Sequence, residues 1–491
     1  MSYIDFHCHP GLKTYLSAFN ESNRESCWKN INLRGPLELL DKLTKDILDS
    51  QSSLNQIKKG NVKIAIVGLY SIERAIITGE IKKVNNITID LLTTSNFINK
   101  IDYKLLGSIA FHNKGYFTIL KELENHILNA QNINPGYKIL NSFNDIEEDK
   151  LNIIFAIEGG HSLYNEIGHY DDNEIINNIY ALKNNSIKYF YFSIAHLVNN
   201  PLCNHAYGMK IINHNDFIPK GNGISDIGYR SIRRLLSNNN EHRILIDIKH
   251  MSLKSRWQYY DLLKNEYADV PIIASHAAFT GVSYTKMPIK KIEEKEGHYI
   301  VHYKKPYGLM NTAFNPSSIN LYNEEISEII ESGGIIGIIL DERVLGNKQT
   351  KKEDKIEFIS KDEFQDLNII PDQERYCETG VEVIKERVIR LFTFRKDIKH
   401  LCNNILYAVK TGGIKTWDHL CIGSDFDGLI NAIESCRNAK KFRKLEKRLK
   451  KYLVKMANSD PSTNYYINDI NLRVKALMHD NALNFIKTYF N

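Results

Sequence analysis

The stretch Tyr3-Ile4-Asp5-Phe6-His7-Cys8-His9 is the first of eight short runs that decide the fold of this chain. Each run is rich in β-branched or aromatic residues and ends in polar or glycine residues, and a stretch with helical periodicity follows most of them. The runs are Tyr3–His9, Val62–Tyr70, Asn152–Glu158, Ile187–His196, Arg243–His250, Pro271–His276, Gly334–Leu340 and His419–Asp425. Strands that alternate with helices indicate a parallel sheet, and eight of them predict a closed TIM-type (β/α)₈ barrel of the α/β class.

Two insertions and a C-terminal extension depart from this pattern. Residues 285–310 include Lys290–Lys305, where apolar and charged residues alternate around Glu296-Gly297, and this predicts a β-hairpin. Residues 345–380 are polar and predicted to be irregular. Both insertions follow strands, so we expect them on the C-terminal face of the barrel, where barrel enzymes carry their active sites. The predicted domains are a hydrolase barrel over residues 1–435 and a helical extension over residues 436–491.

Periodicity and capping residues predict three further helices. The segment Pro36–Lys59 has regularly spaced leucines and stops before Gly60. Ser225 and Asp226 are typical caps for a helix that runs to Leu236, and Val381–Lys410 is a long amphipathic stretch before two glycines.

Composition excludes several classes of protein. Of the 491 residues 43% are hydrophobic and 25% are charged, which is typical of a globular protein. The longest apolar stretch, near Ile335–Leu340, is far shorter than the ~18 residues that cross a bilayer, so no membrane partner is expected. The first residues do not form a secretory signal, and the seven scattered cysteines contain no Cys-x-x-Cys pair. These features predict reduced thiols and a cytoplasmic location.

The formal charge of +6 is concentrated in one segment. Arg437–Lys455 holds ten Lys or Arg residues and one acidic residue, Glu446, so the rest of the chain carries a net charge of −3. Apolar residues recur at helical spacing at Phe442, Leu445, Leu449, Tyr452, Leu453 and Met456. This predicts an amphipathic helix with a basic outer face, which favours solvation over a nucleic-acid partner.

Six of the eight runs end in a residue that can bind a metal ion or move a proton. They are His7 and His9, Glu158, His196, His250, His276 and Asp425. Each of these alone also suits a buried structural histidine or a solvated acid. Because all strand C-termini of a barrel meet at one face, however, residues spread along the whole chain are predicted to converge on one pocket.

The residue types in this set indicate the chemistry. Imidazoles and carboxylates without a thiolate suit Zn²⁺, Mn²⁺, Fe²⁺ or Co²⁺. A carboxylate such as Glu158 is suited to bridging two ions ~3.5–4 Å apart, which lower the pKa of a shared water and give a bridging hydroxide as the nucleophile. Asp425 would accept the proton and deliver it to the leaving group.

Five sequence blocks resemble, in order and approximate spacing, those of the membrane (renal-type) dipeptidases, a branch of the amidohydrolase superfamily. They are Glu158-Gly159-Gly160-His161, Ala195-His196-Leu197-Val198-Asn199-Asn200-Pro201, Leu245-Ile246-Asp247-Ile248-Lys249-His250-Met251-Ser252, Ile273-Ala274-Ser275-His276 and Ile422-Gly423-Ser424-Asp425-Phe426-Asp427-Gly428. The resemblance covers residues 3 to about 430 and implies a barrel whose binuclear centre, usually of zinc, hydrolyses dipeptides and related small amides.

The resemblance also implies a role for each site residue. The first ion would be held by His7, His9, Glu158 and Asp425, and the second by Glu158, His250 and His276. His196 matches a histidine that is not a ligand and would stabilise the oxyanion. Asp247 would support a ligand or be structural.

Two positions depart from the family pattern. The family usually has His-x-Asp where this chain has His7-Cys8-His9, so the first site should be richer in imidazole and its metal preference is open. The family also places an arginine, which binds the carboxylate of the substrate, at the position of Ile319 in Ser318-Ile319-Asn320-Leu321-Tyr322-Asn323-Glu324. An aliphatic side chain cannot make that contact. The substrate then lacks the carboxylate, or a lysine or arginine from an insertion supplies the charge.

The sequence therefore predicts a metallopeptidase with a small peptide or amide substrate and catalytic roles for Glu158, His196 and Asp425. A phosphoesterase or a lactonase on the same barrel, and a non-catalytic metal-binding barrel, are the alternatives. A homodimer is left open.

Overall fold

The computed structural model describes residues 1–17, 26–31, 49–81, 103–111, 114–165, 170–210, 212–239, 241–304, 306–347, 356–367, 396–463 and 467–491. Within these residues the eight predicted strands all form. They are β1 (Tyr3–Cys8), β2 (Val62–Tyr70), β3 (Leu151–Glu158), β4 (Tyr189–Ser193), β5 (Leu245–Asp247), β6 (Ile273–Ala277), β7 (Ile335–Ile338) and β8 (Leu420–Ile422). Consecutive strands pair in parallel from β1 to β8, and helices lie between most of them, so the α/β barrel prediction is confirmed.

Backbone hydrogen bonds just beyond the strand ends join the first strand to the last. The Asp425 amide donates to the His7 carbonyl at 2.9 Å, and the His9 amide donates to the Phe426 carbonyl at 2.8 Å. These two bonds lie at the mouth of the barrel, among the predicted site residues. The closure of the barrel therefore fixes His7, His9 and Asp425 relative to one another.

The described α-helices form the outer layer around the strands, and most of them lie in the connections between one strand and the next. Their bounds are Leu12–Tyr15, Leu54–Lys59, Arg74–Thr78, Tyr103–Ala110, Tyr116–Ile133, Asp172–Lys183, Asp226–Leu236, Leu253–Glu266, Asn323–Glu331, Lys361–Asp366, Lys396–Gly412, Phe442–Ala457, Ile470–Lys475 and Asn481–Tyr489. The helix capped by Ser225 is confirmed, since the Ser225 side chain accepts a hydrogen bond from the Gly228 amide at 3.0 Å.

Two other helix predictions are confirmed only in part. Residues 36–48 and 381–395 lie outside the described residues. Of the first predicted helix, the described residues 49–53 are not helical, and Leu54–Lys59 is a helix that starts with a capping box of Ser53 and Gln56. The second is helical over Lys396–Gly412.

The first insertion is the predicted hairpin. Ile289–Lys295 pairs antiparallel with His298–Tyr303, and the connecting Glu296 and Gly297 have φ values of 43° and 81°. Two successive positive φ values are the mark of a type I′ hairpin turn. The prediction of an irregular second insertion is wrong over the described residues 356–366, where Ile356–Ser360 forms a third strand on His298–Tyr303 and Lys361–Asp366 is a helix. This strand depends on a partner far away in the sequence, which local composition does not reveal.

Three shorter strands were not predicted from the sequence. Tyr137–Ile139 pairs with the start of β3 beside the barrel ring, and Glu80–Ile81 pairs with Ile212–Asn213 as a separate ribbon. None of them changes the order of the barrel strands.

The basic segment near the C-terminus forms a helix, Phe442–Ala457, that buries all six of the predicted apolar side chains. Aromatic side chains join this region to the barrel, since the Tyr3 and Phe442 rings lie 5.8 Å apart and the Phe6 and Phe485 rings 5.9 Å apart. In the described residues no helix has the length and apolarity that a bilayer crossing requires. Six cysteines are free and buried, and Cys377 lies outside the described residues.

Candidate metal centre

His7 and His9 extend from the end of β1 to the same side, and their Nε2 atoms lie 3.0 Å apart. His7 Nδ1 lies 2.8 Å from the Tyr191 hydroxyl, which donates its own proton to the Phe6 carbonyl and therefore accepts from Nδ1–H. His9 Nδ1 donates to the Gly68 carbonyl at 2.8 Å. In the neutral ring of each histidine, Nε2 thus carries the lone pair, which is the tautomer that binds a metal ion.

Gly68 on β2 makes room for these two rings. A Cβ at this position would lie 2.8 Å from His9 Cε1 and 3.0 Å from His7 Cε1. Contacts this short displace one of the partners, so a side chain at residue 68 is incompatible with the observed ring positions.

The carboxylate of Glu158, at the end of β3, lies at the centre of the imidazoles. Its Oε2 is 3.3 Å from His9 Nε2, and its Oε1 is 3.2 Å from His250 Nε2, 3.4 Å from His276 Nε2 and 3.6 Å from His7 Nε2. The side chain is buried, and Oε1 accepts no hydrogen bond in the described part of the chain. Burial raises the pKa of Glu158, but the surrounding imidazoles lower it by more, to well below its usual range. A buried anionic oxygen in this position suits a cation beside it.

His250 and His276, which follow β5 and lie on β6, form a second pair with their Nε2 atoms 3.2 Å apart. His276 Nδ1 lies 2.8 Å from Ser275 Oγ, and that hydroxyl donates to Asp247 Oδ2 at 2.6 Å. The serine therefore accepts from Nδ1–H, which leaves the lone pair of His276 on Nε2. Asp247 also binds the Ser193 hydroxyl, so it both joins β4 to β6 and orients a candidate ligand.

Asp425 follows β8 and completes the cluster. Its Oδ1 lies 3.4 Å from His9 Nε2, and its Oδ2 lies 4.0 Å from His276 Nε2. Burial raises the pKa of Asp425 more than the contact with His9 lowers it. Asp425 and His250 have φ values of 59° and 68°, in the left-handed region that costs a non-glycine residue ~1–3 kcal/mol. Strain at two of the predicted ligands is consistent with a functional constraint on their direction.

His196 follows β4 and interacts with two carboxylates. Its Nδ1 donates to Glu73, which also accepts a hydrogen bond from the Tyr70 hydroxyl, and its Nε2 lies 3.7 Å from Glu158 Oε2. Burial lowers the pKa of His196, but the charges of Glu73 and Glu158 raise it by more, so the net shift is upward. The pKa of Glu73 is raised by burial and lowered by His196, with a net value of about 2. The two carboxylates therefore favour the imidazolium form of His196, and its Nε2 faces Glu158 at the centre of the site.

Glu73 is a functional candidate that the sequence reasoning missed. The second run ends at Tyr70, which is neither a ligand nor an acid, and Glu73 lies in the loop three residues further on. The signal that would have found it is a carboxylate in the loop after β2, on the same face as the other candidates.

The segment that carries Ile319 is held from two sides. Arg256 pairs with Glu325 at 2.6 Å and donates to the Ser318 carbonyl at 2.8 Å. Glu357, from the second insertion, accepts hydrogen bonds from the Ser318 amide at 3.0 and 3.1 Å. The guanidinium of Arg256 thus has a structural role in this segment.

Lys249, next to His250, also contacts this segment. Its Nζ donates to the Ile319 carbonyl at 3.3 Å. Burial lowers the pKa of Lys249 and the carboxylates of Asp425, Asp247 and Glu158 raise it, with a net value of about 8. The ammonium form therefore predominates at neutral pH.

These side chains fit divalent cations. In the described residues three groups bring ligand atoms within 4.8 Å of one another: His7–His276–Asp425, His7–His9–Glu158 and Glu158–His196–His250. Two nitrogens bound to one tetrahedral zinc at ~2.0–2.1 Å lie roughly 3.3–3.4 Å apart. The separations of 3.0 and 3.2 Å in the two histidine pairs are close to that value. All of the predicted site residues thus come together, and no thiolate is among them.

A parallel barrel with imidazoles and carboxylates gathered at its mouth defines the chain as a metal-dependent hydrolase. Residues 117–290 match the model of the membrane dipeptidase family, peptidase family M19. This segment contains Glu158, His196, His250 and His276. The match spans about a third of the chain, and over this segment the chain is similar to the membrane dipeptidases.

Two solved structures show the same fold. A dipeptidase of metallopeptidase family M19 has a TM-score of 0.51 and 13% identity, over 100% of this chain and 99% of that chain. A metallopeptidase from Rhodobacter sphaeroides, bound to a phosphinate mimic of the dipeptide L-Ala-D-Ala, has a TM-score of 0.52 and 13% identity over the same shares. At this identity the likeness is one of fold. No curated protein sequence matches the chain significantly.

Proposed function

We propose that the protein is a binuclear metallopeptidase that hydrolyses a dipeptide or a related small amide. The proposal rests on two pairs of histidines that lie on either side of the Glu158 carboxylate. The Nε2 atoms are 3.0 Å apart in the pair His7 and His9, and 3.2 Å apart in the pair His250 and His276. One cation would be held by His7, His9, Glu158 and Asp425, and the other by Glu158, His250 and His276. Zinc is the favoured ion, and manganese, iron or cobalt are alternatives for this donor set.

When bound, the cations would supply a water of lowered pKa and polarise the scissile carbonyl. The protein must then accept a proton from that water and return it to the leaving amine. Asp425 suits this role because it lies at the rim of the cluster and burial raises its pKa. The carboxyl group can therefore hold a proton for part of the cycle.

His196 suits stabilisation of the oxyanion. Its Nδ1 is held by Glu73, so its Nε2–H is directed towards Glu158 and the centre of the site. A charged donor fixed before the reaction stabilises the negative charge that develops on the carbonyl oxygen. We therefore assign His196 as a donor and His276, whose Nε2 is closer to Glu158, as the ligand.

A dipeptide substrate is supported by the family match and by the dipeptide mimic bound to the Rhodobacter sphaeroides metallopeptidase. Zinc as the physiological ion and the cytoplasmic location stay predictions from the sequence. Elemental analysis of protein purified without added metal, and fractionation of the source cells, test them.

The decisive experiment measures bound metal and turnover together. We expect about two divalent ions per chain and hydrolysis of dipeptides that is lost on chelation and restored by zinc or manganese. A panel of small amides, phosphate esters and lactones separates the proposed activity from the alternatives. Hydrolysis of the esters or lactones in preference to every dipeptide would overturn the proposal.

One variant tests whether Asp425 carries the proton. Asp425→Asn keeps an oxygen ligand but cannot carry a proton, so turnover should fall by roughly 10²–10⁴-fold while metal content is kept. Asp397→Asn, at a buried aspartate that accepts from the Ser435 amide at 2.6 Å, is the matched control and should retain turnover. Unchanged turnover of Asp425→Asn would remove the assigned role.

A further inference from the structure

The helix Phe442–Ala457 carries a row of positive charges on its outer face. Arg443, Lys447, Lys451 and Lys455 are exposed and four residues apart, so they lie in line along the helix. Each step of four residues rises by about 6 Å, which is close to the distance between neighbouring phosphates of a nucleic-acid strand. The row therefore has the charge and the spacing that a phosphate backbone requires.

Most of the charges in this segment are not neutralised by the protein. Its described ion pairs include Arg437 with Glu434 at 2.5 Å and Lys450 with Glu446 at 2.6 Å. Over the described ranges no carboxylate oxygen lies within 4.0 Å of the cationic groups of Lys440, Lys441, Arg443, Lys444, Lys447, Arg448, Lys451 and Lys455. Like charges four residues apart destabilise a helix, as do basic residues in a first turn without an acidic one. A bound polyanion would offset this repulsion.

The helix Leu54–Lys59 extends this basic surface. It ends at Gly60, which packs so closely on the turn before the basic helix that a Cβ there would overlap the Ala439 carbonyl oxygen. Partial burial lowers the pKa of Lys440, and the positive charge of Lys59 across this contact lowers it further. The lysines at the end of Leu54–Lys59 therefore lie beside the start of the basic helix.

A cleft of about 460 Å³ opens beside these lysines, and it is lined by Trp28, Asn55, Lys58, Lys59 and Asn134. Lys58 Nζ lies 5.8 Å from the centre of the half-buried Trp28 ring. An indole ring is a surface on which an unpaired base stacks, and amide side chains bind base edges and 2′-hydroxyls. Because Lys58 and Lys59 precede the start of β2, the cleft lies at the opposite end of the barrel from the candidate metal centre.

We propose that the outer face of Phe442–Ala457 and the cleft at Trp28 together bind single-stranded RNA. Phosphates would lie along the row of lysines, and an unpaired base would stack on the indole ring. The sequence alone favours solvation of the basic face, and the cleft beside it is the structural observation that favours a ligand. A duplex keeps its bases inside and cannot use the ring. A membrane suits the surface less, because the exposed side chains of the helix are charged and its apolar ones are buried in the protein.

Fluorescence anisotropy with the full chain tests the role of the lysines. A labelled single-stranded RNA of about 15 nucleotides should bind, and with about four phosphate contacts its affinity should fall roughly 50-fold between about 50 and 200 mM salt. Lys447→Gln combined with Lys451→Gln should weaken binding and reduce the slope of log affinity against log salt by about 1.4. The matched control Lys264→Gln with Lys291→Gln removes two exposed lysines elsewhere and should change neither quantity.

Trp28→Ala tests base stacking in the same assay. It should weaken binding of the RNA roughly 10-fold and leave binding of a duplex of the same sequence unchanged, whereas Trp28→Phe keeps a ring and most of the affinity. Equal or tighter binding of the matching DNA strand, of the duplex or of anionic phospholipid vesicles would overturn the proposal, and so would no binding of the RNA at low salt. If Trp28→Ala does not fold, the lysine pair and Trp28→Phe decide, and wild-type affinity and salt slope in the lysine pair refute it.

Discussion

Replacement of Glu73 by glutamine tests whether a buried carboxylate keeps His196 charged. Burial raises the pKa of Glu73 and His196 lowers it, and the net fall is from 4.5 to about 2. At 1.36 kcal/mol per pKa unit, this corresponds to about 3 kcal/mol in favour of the ionised carboxylate. Glu73→Gln puts a neutral group in its place, so we expect the free energy of unfolding at pH 7 to fall by about 3 kcal/mol.

The pH dependence of this loss has a definite sign. Because the folded-state pKa of Glu73 lies below the ordinary value of 4.5, its stabilisation is complete above that pH and is lost as the pH falls towards 2. The difference in unfolding free energy between wild type and Glu73→Gln should therefore shrink below pH 4.5, and it should also shrink at alkaline pH, where His196 loses its proton. Urea denaturation at a series of pH values measures it.

The same variant should affect catalysis. The amide of the new glutamine would donate to His196 Nδ1, so the ring becomes neutral with its proton on Nε2. A neutral donor stabilises an oxyanion less, and we expect kcat to fall roughly 10- to 100-fold with KM little changed. Glu124→Gln is the matched control, since Glu124 is also buried and accepts from the Tyr189 hydroxyl. It should lose stability but keep kcat, and a Glu73→Gln variant with wild-type kcat and stability would refute the reasoning.

Three further outcomes concern the metal centre. Gly68→Ala places a Cβ 2.8 Å from His9 Cε1, so bound metal should decrease and the free energy of unfolding should fall by roughly 1–3 kcal/mol. The control Gly107→Ala places its Cβ in open space and should change neither the bound metal nor the free energy of unfolding. Burial lowers the pKa of His9 but two carboxylates raise it to about 10. Metal binding must displace a proton below that pH, so affinity should fall with acidification, and calorimetry in buffers of different ionisation enthalpy should detect proton release. His276→Ala should bind one ion fewer than the wild type by elemental analysis and His196→Ala the same number; equal values for both variants would contradict the assignment.

Much of the fold can be predicted from local sequence patterns. β2 has the predicted bounds, Val62–Tyr70, because its run of β-branched residues is bounded by polar ones. β5 is shorter than the predicted Arg243–His250, since the chain leaves the sheet after Asp247 and turns through a positive φ at His250. The strand Ile356–Ser360 was missed because its existence depends on a partner strand in another insertion.

The candidate site can likewise be predicted from the sequence only in part. Residues at strand ends, such as Glu158 and His276, can be found from the sequence because the barrel dictates where strand ends go. The groups that fix the imidazoles cannot, because Tyr191 and Ser275 meet their histidines only once the strands have a register.

The hydrogen bonds that close the barrel lie in the same place as the candidate ligands. Asp5 and Ser424, which join the first and last strands side by side, are 419 positions apart in the chain. A chain that has been synthesised only as far as β7 cannot assemble this pocket, because the wall that carries Asp425 is still missing. An ion bound by both His7 and Asp425 would link the first strand to the last one. Its removal should therefore separate these two strands before the other strand pairs of the barrel.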